Sequence, residues 1–154
     1  MDSSLVELPD NLFNLTSLQT LSLGVRPFRA PLTALPDAIG KLASLEVLDL
    51  SDWRALRALP SAIGGLASLR SLLLNGCGEI AELPSEIGDL AHLEILDLGG
   101  TPLHLRDQPS GELSLLTSLP ERLSECSSLI EIDLSVNAYA RKRLDQTSEW
   151  RAVL

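Results

Sequence analysis

The side chains best suited to nucleophilic, redox or metal chemistry are two histidines, His92 and His104, and two cysteines, Cys77 and Cys126. Their spacing does not assemble them. A structural zinc site takes Cys or His pairs two to five positions apart, and a disulfide framework takes regularly spaced cysteines; neither pattern is present. There is no H-E-x-x-H, no G-x-S-x-G, and no glycine loop ending in the lysine that cradles phosphate. His92 stands on a loop leading into a strand and reads as a surface residue. The acids Asp49, Asp97 and Asp133 return at matching places in a repeating word, so a pair of them reflects repetition rather than an acid–base couple. The chain reads as non-enzymatic, with no catalytic residue, metal or cofactor.

Composition narrows the remaining choices. The 154 residues suit one domain, with 45% hydrophobic but only 3% aromatic residues, so the core is aliphatic and mostly leucine. A net charge of -9 and a pI of about 4.6 argue against a nucleic-acid surface, which needs clustered Lys and Arg. No apolar run approaches a membrane span, and no charged-then-apolar leader opens the sequence. Two distant cysteines fit a reducing compartment, so a cytoplasmic location is expected.

What organises the chain is a recurring word. Leu59–Leu74 reads LPSAIGGLASLRSLLL, and close copies stand at Leu35–Leu50 and Leu83–Leu98. More worn copies occupy Leu8–Leu23 and Leu119–Leu134. The leucines that begin each strand segment, Leu18, Leu45, Leu69, Leu93 and Leu129, are separated by 27, 24, 24 and 36 positions. The base period is 24, with a short insertion after the first strand and a long one, over residues 103–115, after the fourth. Such a period marks units that cannot bury their apolar side alone and must stack.

The pattern L-x-x-L-x-L followed by L-P-x-x-I-G-x-L resembles the leucine-rich repeat from Leu5 to about Asn137. The resemblance implies an α/β solenoid: a curved parallel sheet on the concave face and short 3-10 or α turns on the convex face. The proline suits the first position of each turn, and Gly40, Gly64 and Gly88 suit its tight exit. Cys126 takes the place of Leu42, Leu66 and Leu90, which reads as a buried structural thiol. The expected organisation is a solenoid of about five repeats over residues 1–137 and a helical cap over residues 138–154. A repeat that starts without its strand would expose leucines, which points to a fragment or to self-association through the N-terminal end.

The unit looks most like Ras-scaffold and plant Ras-group repeat proteins and the repeat region of plant nucleotide-binding immune receptors. Leu74-Asn75-Gly76-Cys77-Gly78-Glu79-Ile80, running into Leu83-Pro84, is similar to the latter; bacterial effectors with leucine-rich repeats are a third relative. All of these hold other proteins, so the resemblance implies a scaffold that binds a partner protein in intracellular signal transduction. The alternative is a recognition or targeting fragment of a larger multidomain protein.

Period-2 alternation assigns the outward residues of the sheet. One row is Thr20, Val47, Ser71, Ile95 and Glu131; the next is Ser22, Asp49, Leu73, Asp97 and Asp133; just past the strands come Ser51 and Asn75. Val47, Leu73 and Ile95 make an apolar diagonal flanked by Asp49, Asp97 and Asp133, with Asp52 and Trp53 on its rim. An apolar centre ringed by charge is how binding patches are built. Two other readings stand beside this one: the aspartates as a habit of the scaffold, and Trp53 packed into the turn at the sheet edge. On the first reading the face selects a protein partner with a basic surface, with no role for nucleic acid or membrane.

Overall fold

The computed structural model describes residues 8–24, 33–77, 79–80, 82–99 and 119–133. The expected insertion over 103–115, the C-terminal cap over 138–154 and the leucines before Leu8 lie outside them. Within them the architecture is the expected α/β leucine-rich-repeat solenoid. Strands β1 (Thr20–Ser22), β2 (Val47–Asp49), β3 (Ser71–Leu73), β4 (Ile95–Asp97) and β5 (Glu131–Asp133) form one parallel sheet in sequence order. Opposite them run five-residue 3-10 turns at Asp10–Asn14, Asp37–Lys41, Ser61–Gly65, Ser85–Asp89 and Glu121–Glu125.

Each strand is three residues long, too short to persist alone, and derives its order from its neighbours. The register is uniform: Leu21, Leu48, Leu72, Leu96 and Ile132 lie side by side and point inward. The ladder extends beyond the strands, with the Glu46, Arg70 and Glu94 carbonyls each accepting two amides of the next unit. The last leucine of each word, Leu50, Leu74 and Leu98, is fully buried below the sheet. Ile39, Ile63, Ile87 and Leu123 close the core from the turn side. A buried leucine of this kind contributes roughly 1.5–3 kcal/mol of apolar burial.

The turns follow from their opening proline, though not at the position the sequence suggests. Pro36, Pro60, Pro84 and Pro120 precede the helical residues with extended ψ of 152°, 153°, 148° and 135°. Each is therefore the cap, and its carbonyl accepts the first i+3 amide, as in Ile63 N–H to Pro60 O at 3.0 Å. A second i+3 bond, Leu66 N–H to Ile63 O at 3.1 Å, closes the turn before an α-helix can propagate.

The glycines also serve a purpose different from the expected tight exit. Gly40, Gly64 and Gly88 lie inside the turns, and among the described glycines the left-handed conformation is confined to Gly76. What excludes a side chain is the next unit. A Cβ on Gly40 would stand 2.5 Å from the Ala62 carbonyl oxygen, one on Gly64 2.9 Å from that of Glu86, and one on Gly88 against that of Arg122. Phe13 occupies the corresponding place in the first word and is buried, while Leu15 remains 52% exposed.

This backbone approach generates a prediction. Alanine normally stabilises a site of ordinary φ by about 0.4–1 kcal/mol relative to glycine. Gly40→Ala instead lowers stability in urea denaturation by about 1–3 kcal/mol, the cost of overpacking. A neutral or stabilising effect would show that adjacent turns are free to slide apart.

Candidate functional site

The pairing places the outward rows as the alternation requires. Val47, Ser71 and Ile95 are neighbours on β2, β3 and β4, and Asp49, Leu73 and Asp97 are neighbours two residues further on. All six are partly exposed, as are Asp52, Asn75 and Glu131. Two expected site residues differ. Trp53 is only 7% exposed and belongs to the core cluster, so its ring packs into the turn and does not stand on the rim as an anchor. Asp133 sits beside Asp97 in the outward row but is only 4% exposed, so it offers the face no accessible carboxylate.

The aspartates hold the backbone as well as charging the face. Asp49 Oδ1 accepts the Ser51 amide at 2.9 Å, and Asp97 Oδ1 accepts the Gly99 amide at 3.0 Å. This is an Asx turn, in which a side-chain oxygen captures the amide two residues on. Asp49 Oδ2 also accepts the Ser22 hydroxyl at 3.1 Å. Leu73, between them, offers no such acceptor to Asn75. The turn beyond the strand needs a left-handed residue: Gly76 has φ +74° and Asp52 φ +62°, a conformation that aspartate tolerates better than most side chains. The Asp52 amide donates to Asn75 O at 2.6 Å and the Gly76 amide to Gly99 O, tying successive turns together.

A further exposed row lies one residue before Thr20, Val47, Ser71 and Ile95, at positions that strict alternation assigns to the inward side. Gln19, Glu46, Arg70 and Glu94 directly follow the inward residues Leu18, Leu45, Leu69 and Leu93. Gln19 Nε2 donates to Glu46 Oε1 at 3.3 Å, and the Arg70 guanidinium pairs with Glu94. Recurrence of polar residues at the repeat period, rather than alternation within a strand, is the signal that reveals this row. Among the described residues of these rows Arg70 is the one cation, and Glu94 already engages it.

The two cysteines are buried thiols that hydrogen-bond to the backbone. Cys77 Sγ donates to the Leu50 carbonyl and Cys126 Sγ to the Ile87 carbonyl, each at 3.2 Å. Cys77 thereby links its turn to the preceding unit. Trp53 stands at the corresponding place one unit earlier, and its buried indole Nε1–H has no hydrogen-bond partner among the described residues. Burial, with a smaller contribution from Asp52, Asp49 and Asp97, pushes the Cys77 thiol up to about 12 from its ordinary 9.0; a hydrogen bond with the Trp53 backbone acts against this. No three His, Cys, Asp or Glu side chains among the described residues are grouped so as to hold a metal ion. None of the described helices is long and apolar enough to cross a membrane.

No protein-family model matches the sequence, and no curated protein matches it. Solved structures do. The leucine-rich repeat domain of the type III effector XopL is similar over 84% of this chain, with 32% identity and a TM-score of 0.63. The plant peptide hormone receptor RGFR1, solved in complex with RGF2, covers 83% at 28% identity and a TM-score of 0.61. The structure of PEPR1–AtPEP1 covers 84% at 25% identity and a TM-score of 0.54. This chain spans only 38%, 18% and 16% of those three chains, respectively.

Two measurements check the placement of Trp53 and Cys77. Trp53→Ala loses about 3–5 kcal/mol in urea denaturation, as expected of a buried ring. Trp53→Phe stays within about 1 kcal/mol, because the lost packing is offset by removing an unpartnered buried donor. A harmless Trp53→Ala would return the residue to the surface. Cys77 ionises in the unfolded chain near pH 9.0 but in the folded chain only near 12. Its contribution is therefore complete below pH 9.0 and falls as pH rises toward 12. The alkaline slope of stability should be shallower in Cys77→Ala, and identical slopes would exclude this origin.

Proposed function

From this leucine-rich-repeat solenoid with its partly exposed outward rows, we propose a non-enzymatic scaffold that binds a partner protein on the concave sheet face. The observation that carries this reading is the half-exposed trio Val47, Leu73 and Ile95, held in register on a rigid sheet between Asp49 and Asp97. Exposed apolar side chains on a stiff surface lose little conformational entropy when covered. Flanking carboxylates favour a basic partner and speed its encounter. Complexes such as RGFR1 with RGF2 support the use of this kind of solenoid as a recognition surface. The buried free thiols support a reducing, cytoplasmic setting, and hence a place in intracellular signal transduction.

A second reading keeps the solenoid and changes its setting, by analogy with an effector that carries a leucine-rich repeat domain. Under it, the solenoid is the recognition or targeting part of a larger multidomain protein, as in the effector whose repeat domain it resembles. The binding face is the same under both readings, so one experiment addresses both. Asparagine at positions 49 and 97 keeps the Oδ1 acceptor that each turn requires while removing the charge. Asp49→Asn with Asp97→Asn should keep the fold by circular dichroism and weaken partner capture at least tenfold at low salt. The gap should narrow as salt rises, since the Debye length shrinks from about 30 Å at 0.01 M to about 10 Å at 0.1 M. Undiminished capture at low salt would sink the concave-face assignment.

A further inference from the structure

The acidic, partly apolar face has a particular relief. Ser71 lies between Val47 and Ile95 on the adjacent strands, with Leu73 two residues beyond on the same face. A serine side chain has two heavy atoms where each of these neighbours has three or four, so Ser71 is the low point between apolar walls. Beside Leu73 stand Asp49 on one flank and Asp97 on the other. Strands are spaced about 4.8 Å apart, which puts these two carboxylate-bearing positions about 10 Å apart across the leucine. Each is oriented by its turn amide rather than free to rotate. An ionised carboxylate has about four acceptor sites, so such bonds do not exhaust its capacity to meet an ammonium or guanidinium.

Resting on the concave-face reading above, we infer that this surface takes an extended peptide segment carrying an apolar residue between two basic ones, in the pattern basic-x-apolar-x-basic. In an extended chain residues i, i+2 and i+4 face one way and span about 13 Å. With such a segment lying across the strands, its central Leu or Ile sits over Ser71 against Val47, Ile95 and Leu73. The two flanking Lys or Arg stems then reach Asp49 and Asp97. Arg70 does not oppose them, because Glu94 holds its guanidinium. Charge complementarity selects this occupant: an acidic segment would face Glu46, Asp49, Glu94, Asp97 and Glu131 against that one engaged cation.

The test uses the full chain and fluorescent Gly/Ser-rich twelve-residue peptides with the central patterns Lys-x-Leu-x-Lys, Glu-x-Leu-x-Glu and Lys-x-Ser-x-Lys. Fluorescence anisotropy should give at least tenfold tighter binding to the first than to either other. Ser71→Ile, a substitution a strand accepts, fills the low point and should cost the first peptide at least tenfold with the unfolding midpoint unchanged. Equal binding of the charge-reversed peptide, or binding indifferent to Ser71→Ile, overturns the inference. Selection from a randomised peptide library separates the two levels of the argument. Selected peptides of another chemistry that are lost with Leu73→Asp would refute this pattern and keep the concave-face reading. Peptides insensitive to every change on the sheet face would refute both.

Discussion

The structure depends on how closely one unit can approach the next. On the sheet side the separation is fixed by hydrogen bonds between three-residue strands. On the turn side it is fixed by Gly40, Gly64 and Gly88, which let the carbonyls of Ala62, Glu86 and Arg122 lie where a Cβ would otherwise be. The leucine rows between them are buried only because both limits are met together. No unit has enough apolar contact to stand alone, so stability resides in the interfaces rather than in the units. The same stacking makes the outward face rigid: its side chains inherit their spacing from the ladder beneath.

Much of this was legible in the sequence because period and geometry coincide. A 24-residue repeat with L-x-x-L-x-L inside it fixes which residues point in, which point out, and which lie side by side; register followed from counting alone. The details that were misread share one cause. A letter names a side chain, not the backbone beside which it must fit. Gly40 looks like a turn exit until the neighbouring carbonyl is seen, and Trp53 looks like a rim anchor until its turn is closed around it. Arg70 and Glu94 are hidden for a simpler reason: each follows the first leucine of its strand segment, where alternation points inward.

The aspartates show why structural and recognition readings of one residue need not compete. Asp49 and Asp97 each secure the turn that follows their strand, which explains why this residue type recurs independently of any partner. The same bonds fix their carboxylates on the outward face, lowering the conformational entropy a partner must remove. Recurrence alone therefore says nothing for or against binding. The informative unit is the one that departs from the habit with an apolar side chain.

That unit is the third. Leu73 occupies the aspartate position and forgoes the bond to the amide of Asn75, an interaction worth about 1 kcal/mol in a comparable setting. It also leaves a partly exposed leucine between two carboxylates, where local rules favour a polar residue. Nothing in the core requires this, because Leu72 and Leu74 supply the unit's inward contacts on either side of it. Under the proposed function, a position that gives up turn stability and gains only an exposed apolar surface is accounted for by what that surface meets. Departures of this kind, against a background in which every other level of the unit agrees, are where function is expected to be written. The best-kept copy of the repeat thus carries, at one outward letter, the departure on which the proposed use of the sheet face rests.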